Sequence, residues 1–308
     1  MFAPNVVGTA NAATAGWGNA GGGATQALMP LILGAILMFG VEQTMGWRIA
    51  LLVPGVMMVI VGILYWKFTQ DCPQGNFKEL RAQGIEVGSG KKGSTAILLQ
   101  AARNYRVWIL FVSYAACFGI EIFIHNIAAM YYTEHFNMGL KEAGLAAGIF
   151  GLLALFARAL GGIVSDKVAI AKGLDGRTKV LFTFVLLEGS FLILFSQMNT
   201  AVLAIISMTV FALFTHMACG ATYALVPFID RDALGGVAGI IGAGGNVGAV
   251  AAGFLLKGLL DVQTCLFILG GLVTLAAFSV ILIRFTVEHK AKEKQLFEQA
   301  VLERNSMA

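Results

Sequence analysis

Long apolar runs broken by short polar ones set the reading of this chain. A helix needs about 20 mostly apolar residues to cross a bilayer. Eight runs meet that length or come close to it: 8–39, 47–68, 107–132, 141–164, 179–197, 200–227, 235–257 and 263–285. The first is over-long, so some interfacial turn is expected at each of its ends. The stretches between runs are short except for 69–106, which is polar and carries Pro73, Gly75, Gly84, Gly88 and Gly90; its centre, 88–93, reads as flexible. It separates two spans from six. Beyond 285 the pattern turns polar, and Leu296 with Ala300 and Phe297 with Val301 leave only a weak stripe at i, i+4. That suits a solvated helix that frays. The expected divisions are 1–68 with two helices, a linker at 69–106, six helices in 107–285, and a tail at 286–308.

Composition sharpens this into a class. Hydrophobic residues make up 58% and charged residues 12% of the chain, with a mean hydropathy of +0.80. Soluble domains carry about 25% charged residues, so the fold class expected is an all-α polytopic membrane protein. The net charge of +4 does not point to nucleic acid, because the basic residues lie between the apolar runs. Lys67, Lys78, Arg81, Lys91, Lys92, Arg103 and Arg106 crowd 67–106; Lys167, Lys172, Arg177 and Lys179 crowd 165–179; Arg284, Lys290, Lys292, Lys294 and Arg304 lie in the tail. The alternate turns, 40–46, 133–140 and 198–200, have no Lys or Arg. Lys141 and Lys257 sit at span ends, from which they can snorkel. The positive-inside bias then puts the linker, the 165–179 turn and both ends in the cytoplasm. Residues 1–10 lack the positive n-region of a cleavable signal, and the first span is expected to start almost at Met1 with no leader. Cys72, Cys117, Cys219 and Cys265 have neither metal nor disulfide spacing. No nucleophile–base set or metal cluster is visible, so no catalytic residue, metal or cofactor is expected.

The candidate chemistry is the polar material inside the spans. Five glycines fall between Gly16 and Gly23, around Asn19, in Gly-Trp-Gly-Asn-Ala-Gly-Gly-Gly. Such a helix needs close protein neighbours or a lined cavity, because lipid cannot solvate its backbone. The device returns in 242–248, Gly-Ala-Gly-Gly-Asn-Val-Gly, at an offset of 227 (246 − 19). There Gly8, Gly18, Asn19 and Gly21 fall on Gly235, Gly245, Asn246 and Gly248. Two related halves facing one site would explain the match; glycines that only let helices pack, with amides as structural glue, are the plainer alternative. Ionisable side chains in a span cost about 2.5–3.5 kcal/mol each even on gentle scales, and five occur: Glu121, His125, Arg158, Glu188 and His216. Arg158 lies about two turns before Asp166 and Lys167, too deep for easy snorkelling. Its planar fork suits a planar oxyanion such as nitrate, nitrite or a carboxylate; an internal ion pair with Glu121 or Glu188 is the competing reading. Glu121 and His125 are i, i+4 on one helix, beside Asn126, so they could pass a proton or neutralise Arg158. His216 reads as a hydrogen-bonded core histidine. Asp166, in Gly-Ile-Val-Ser-Asp-Lys at 162–167, can cap a neighbouring helix and pair with a basic residue there, and with Lys167 it would latch one conformation.

These motifs resemble the nitrate/nitrite porter family of the major facilitator superfamily, in its high-affinity branch of cyanobacteria, algae and plants. The stretch at 16–23 resembles the family's first nitrate signature, on its fifth helix; 242–248 resembles the second, on its eleventh. Residues 162–167 resemble the superfamily loop after helix eight, and Asp71-Cys72-Pro73-Gln74-Gly75-Asn76 the Asp-x-Pro-x-Gly-Asn run after helix six. The resemblance implies a partial major facilitator fold, with the eight spans as family helices five to twelve and the first four missing. It implies that Arg158 is the helix-eight arginine of an anion site whose second arginine, on helix two, lies outside this sequence. Gly18, Asn19, Gly245 and Asn246 would complete the site here. Some members place a tyrosine on helix seven beside the anion, where this chain reads Ile122-Phe123-Ile124-His125-Asn126. Glu121 and His125 also depart from arginine-only exchangers. The implied function is import of nitrate, and of nitrite with it, at the plasma membrane by alternating access and proton symport. Exchange of nitrate for nitrite and a sensor that binds without flux are the alternatives. The implied partners are nitrate, nitrite, protons and membrane lipid, with an accessory subunit left open.

Overall fold

A computed structural model describes residues 6–72, 74–85, 94–258 and 261–307. Pro73, the expected flexible centre 88–93, and the side chains of Phe297, Ala300 and Val301 in the tail stripe lie outside the described residues. The chain is helical: α1 (Val7–Met38), α2 (Gln43–Phe68), α3 (Phe77–Ala82), α4 (Ser94–Ala102), α5 (Tyr105–Tyr114), a π-helical segment (Ala115–Gly119), α6 (Ile120–Phe136), α7 (Leu140–Leu152), α8 (Ala154–Ser196), α9 (Ala201–Leu225), a 3₁₀ turn (Val226–Phe228), α10 (Leu234–Gly258), α11 (Val262–Val280) and α12 (Val287–Met307). Helices are the expected outcome for apolar chain, since within lipid every backbone N–H and C=O must find a partner in its own segment.

Among the described residues, seven helical stretches are long and apolar enough to cross a membrane, and the chain is a multi-pass membrane protein. One of the seven, Leu140–Ser196, runs 57 residues, about 85 Å at 1.5 Å per residue. That is far more than one bilayer core, about 30 Å, can hold. Gly173, at φ 57 and ψ −145, breaks it, a backbone conformation that side chains with a Cβ rarely adopt. The break divides the stretch into the two runs read at 141–164 and 179–197. The junction itself differs from the reading: a short basic turn is expected at 165–179, yet helix continues through it on both sides of Gly173. Part of its polar set is not solvated, while Lys167, Lys172, Asp175 and Lys179 stay exposed. Ser165, Asp166 and Arg177 are buried and bonded to one another, so burial and hydrogen bonding, not water, satisfy them.

Two compact units emerge, Met1–Ala27 with Ile97–Ala308, and Leu28–Ala96. In the smaller unit α2 carries apolar side chains all round and buries only Gly46 and Ala50, the pattern of a membrane span. Asp71 accepts a hydrogen bond from the Phe77 amide at the start of α3. In the larger unit α8 packs along α9 and α11, α10 lies on α5 and the π segment, and α6 pairs with α7. Asn137, at φ 53, ends α6 in the left-handed conformation. Asp261 caps α11 by accepting from the Gln263 and Thr264 amides at 2.9 Å, and hydrogen bonding from the Thr264 side chain first, then from its amide, holds the carboxyl below the usual range.

Small residues set the approach of these helices. Gly8, Ala12, Gly16, Ala20 and Gly23 form the buried stripe of α1. A methyl on Gly162 would lie 2.7 Å from the Gly8 carbonyl carbon and 2.8 Å from Ala12 Cβ. A methyl on Gly161 would lie 2.7 Å from Met217 Cα on α9. Gly161→Val is therefore expected to cost about 1–3 kcal/mol by overpacking. Its yield of folded protein after detergent extraction should drop, while Gly21→Ala, which points into open space, should leave the yield unchanged. Equal yields for the two would contradict this packing.

The tail helix is less free than its sequence suggested. His289 Nε2 is 2.9 Å from the Phe228 carbonyl oxygen, Lys290 pairs with Asp175 at 2.6 Å, and Arg231 grips Glu293 through two bonds of 2.9 and 2.6 Å. The Glu293 carboxylate holds the Arg231 guanidinium above its ordinary range. Charges that read as a solvated face partly tie α12 to α8 beside Gly173 and to the turn between α9 and α10.

Candidate functional site

The centre of the larger unit is a buried ion pair. Arg158, on α8, reaches Glu121, on α6, with Nη2 2.5 Å from Oε2, and both side chains are 1% exposed. Arg158 is held in place by its backbone surroundings. Gly16 of α1 packs against its Cβ, and the carbonyl of Arg158 is met by Gly220 of α9. Glu121 has further partners from α9: His216 Nδ1 lies 3.3 Å and the Cys219 thiol 3.5 Å from the same Oε2. His216 Nε2 is 2.8 Å from the Phe150 carbonyl oxygen of α7, so it is both the core histidine expected and a third member of the centre. On the other side the guanidinium lies 5.1 Å over the Phe118 ring, which stacks on Tyr114 at 4.9 Å. Tyr114 meets Tyr223 edge-on at 5.1 Å. Arg158 Nε has no hydrogen-bond partner. A buried guanidinium with an unused donor can accept a second anionic or polar ligand.

The π segment is what aims Phe118 at Arg158. A π-helical turn inserts an extra residue and rotates the register; here it joins α5 to α6 one turn before Glu121. Gly119 lets α10 come close, since a Cβ there would lie 2.8 Å from Gly248 Cα and 2.9 Å from the Gly245 carbonyl oxygen. Gly245 packs directly on the Phe118 ring. The second glycine-rich stretch therefore backs the aromatic wall of the Arg158 centre.

Other expected residues fall elsewhere. His125 shares α6 with Glu121, but its ring turns to a glycine cradle formed by Gly22 of α1 and Gly151 of α7, edge-on to Phe150 at 5.3 Å. Neither ring nitrogen has a hydrogen-bond partner, and the Gln26 amide donates to the His125 carbonyl. Asn19 is half-buried and donates to the Ala15 carbonyl of its own helix at 2.8 Å. Gly18 has open space beside it, and Asn246 is exposed. The structure thus brings together Arg158, Glu121 and Gly245, and adds His216, Cys219 and Phe118. It does not bring Asn19, Asn246 or His125 into hydrogen bonds with Arg158. Glu188 is buried, and no ion pair joins it to Arg158.

A second polar cluster lies near the other end of α1. Asp166 accepts from the Thr9 amide and hydroxyl, both at 2.7 Å, and from Arg177 Nη1 at 2.7 Å. It caps the first turn of α1 and pairs with Arg177, which lies on α8 itself and not on the capped helix. Arg177 also lies 4.8 Å over the Phe228 ring. Lys167 is exposed.

The comparisons with known proteins agree with this architecture. The family model of the Major Facilitator Superfamily matches residues 4–229 and, again, 115–306. The high affinity nitrate transporter 2.5 of Arabidopsis thaliana is 40% identical over 250 residues, 81% of this chain and 49% of its own length. Nitrate transporter 2.2 of Chlamydomonas reinhardtii is 39% identical over 81% of this chain and 48% of its own. The nitrate/nitrite transporter NrtP of Nostoc punctiforme is 25% identical over 81% of this chain and 62% of its own. The chain spans about half the length of the first two relatives. With a family model over most of its length and a membrane-spanning, all-helical structure, the chain belongs to the Major Facilitator Superfamily.

Proposed function

We propose that the protein carries nitrate, and nitrite with it, into the cell by alternating access, with protons as the coupling ion. The observation that carries this reading is the Arg158–Glu121 pair, a planar cation buried in a span with its counter-ion on another helix, in a chain similar to proteins named nitrate transporters. Nitrate is planar and matches the guanidinium fork. When it takes Arg158, Glu121 loses its main counter-charge. Leaving a buried charge without its partner costs about 3–5 kcal/mol, and a proton on Glu121 removes that cost. Anion binding and proton binding are then linked through one residue. His216 and Cys219 hold the carboxyl in place during the exchange, and His125, in its glycine cradle, is a candidate second station for the proton.

The remaining parts of the proposal follow the same layout. Gly18 and Asn19 on α1 and Asn246 on α10 lie away from the packed faces and would line the anion's path, with Gly245 backing Phe118. The division into 1–68, 69–106, 107–285 and 286–308 is proposed as the end of one helical half, a linker, a second half and a tail. The basic clusters support a cytoplasmic side for the linker, the Asp166 region and both ends of the chain in a plasma-membrane protein. Asp166 and Lys167, with Arg177 and Thr9, would latch one conformation. Asp166→Asn removes the charge that Arg177 and the α1 terminus share, and is expected to lower the maximal uptake rate about tenfold or more, as lost conformational steps do, with little change in the nitrate concentration for half-maximal uptake. An unchanged rate would remove the latch from the account. Substrate is tested by nitrate uptake in a host lacking its own nitrate transporters, with nitrite as competitor. Competition supports the reading; binding without flux would make the protein a sensor.

A further inference from the structure

One ionisable group in the spans has no place in the mechanism above. Glu188, on the second half of α8, has no accessible surface. Neither of its oxygens has a hydrogen-bond partner. The polar groups that interact with it are Cys117 from the π segment, Thr215 from α9 and Glu121 from α6. The Thr215 hydroxyl is already used, donating to the Phe211 carbonyl at 3.0 Å. His216, next along α9, turns its ring to Phe150 and Glu121. From α11, Gly270 and Thr274 pack against the adjacent Gly189. None of these neighbours is a cation. A carboxyl buried without donors is costly as an anion and tolerable as an acid, and this one sits where three elements of the Arg158 centre meet: α8 carries Arg158, the π segment carries Phe118, and α9 carries His216 and Cys219.

We propose that Glu188 is a second proton-binding site of the transport cycle. This rests on the symport reading above and deepens it. The chemistry is one reversible step: the carboxylate takes a proton from the outer solution to become a carboxylic acid, and returns it to the inner solution when the helices around it rearrange. The observed conformation, buried and with neither oxygen hydrogen-bonded, is the one suited to the acid form. With one proton on Glu121 and one on Glu188, each nitrate would enter with a net charge of +1 and be driven inward by the membrane potential.

The test is the ratio of charge moved to nitrate taken up, in voltage-clamped cells expressing a transport-competent protein that carries this sequence. The unaltered protein should move about one positive charge per nitrate. Glu188→Gln, which keeps the shape and removes the proton site, should bind nitrate normally and take it up with little or no current. An unchanged ratio in Glu188→Gln overturns this proposal alone. Absence of proton-coupled uptake in the unaltered protein overturns the symport reading and this proposal with it. A second measurement does not depend on the variant's folding. Dicyclohexylcarbodiimide modifies protonated carboxyls in apolar surroundings, so mass spectrometry of the treated, unaltered protein should find Glu188 labelled, with less label at alkaline pH. No label at Glu188 at any pH would overturn the assignment.

Discussion

Arg158→Lys is expected to fold and reach the membrane yet lose nitrate uptake by roughly ten- to a hundredfold, the range for losing charge-assisted bonds to a buried ligand. Lysine keeps a positive charge beside Glu121, so the 2.5 Å pair can be replaced by a single-point contact. It cannot supply a fork to a planar anion or lie flat over the Phe118 ring, 5.1 Å from the guanidinium carbon. Arg158→Ala should do more damage, because it leaves Glu121 buried with only His216 and Cys219 beside it, at about 3–5 kcal/mol for an uncompensated charge. Arg158→Ala combined with Glu121→Gln removes both charges and should recover folded yield without recovering nitrate binding. That pair of results separates the structural role of the arginine from its role toward the anion. Normal uptake by the lysine variant would contradict the planar-fork argument.

Glu121→Gln should keep nitrate binding and lose the acceleration of uptake that external acid produces. Glutamine can still accept a hydrogen bond from Arg158, so the guanidinium stays in place. It no longer competes with the anion as a charge, and it takes up no proton when the anion arrives. Uptake at neutral pH should be roughly what it is at acidic pH, with the difference between the two falling from severalfold in the unaltered protein toward none. Nitrate binding to the purified variant, read by isothermal calorimetry, should be as tight as in the unaltered protein or tighter, because the competing carboxylate is gone. A variant that keeps its acid response would make Glu121 a purely structural partner of Arg158.

What was legible in the sequence follows from the range of the forces involved. Apolar length decides which segments enter a membrane, so the spans were readable, and the split of Leu140–Ser196 at Gly173 agrees with the two runs read there. What satisfies a polar residue depends on neighbours far along the chain, and periodicity does not carry that. The 165–179 stretch reads as a short basic turn with Asp166 able to cap a neighbouring helix; that the helix is α1, through Thr9, and that the basic partner is Arg177 of α8 are tertiary facts the spacing does not carry. The spacing of Glu121 and His125 put them on one face of α6, but a turn of helix separates their surroundings. One meets Arg158 and the other a pair of glycines.

The offset of 227 shows the same limit. It pairs Gly8 with Gly235 and Gly18 with Gly245, yet Gly8 is packed against Asp166 and Ala224 while Gly235 is open, and Gly18 is open while Gly245 lies on Phe118. Equal spacing presents equal faces, and what covers each face is a tertiary matter. Cys219 and Phe118 had no signal in the chain beyond being ordinary apolar residues of a span. The π segment that aims Phe118 is likewise unmarked, except by Gly119, whose missing Cβ admits α10.

Bringing one nitrate into a cell that is negative inside costs about 2.3 kcal/mol per 100 mV, so uptake against that potential needs at least one cation with each anion and is inward-driven with two. The most direct test of the account is therefore the current elicited by nitrate in a voltage-clamped cell expressing a transport-competent protein that carries this sequence, recorded as external pH is lowered. An inward positive current that grows as pH falls, and that is absent in Arg158→Lys, is the result expected. Nitrate uptake that is electrically silent, independent of pH and stimulated by nitrite inside the cell would contradict it, and would make the protein an exchanger.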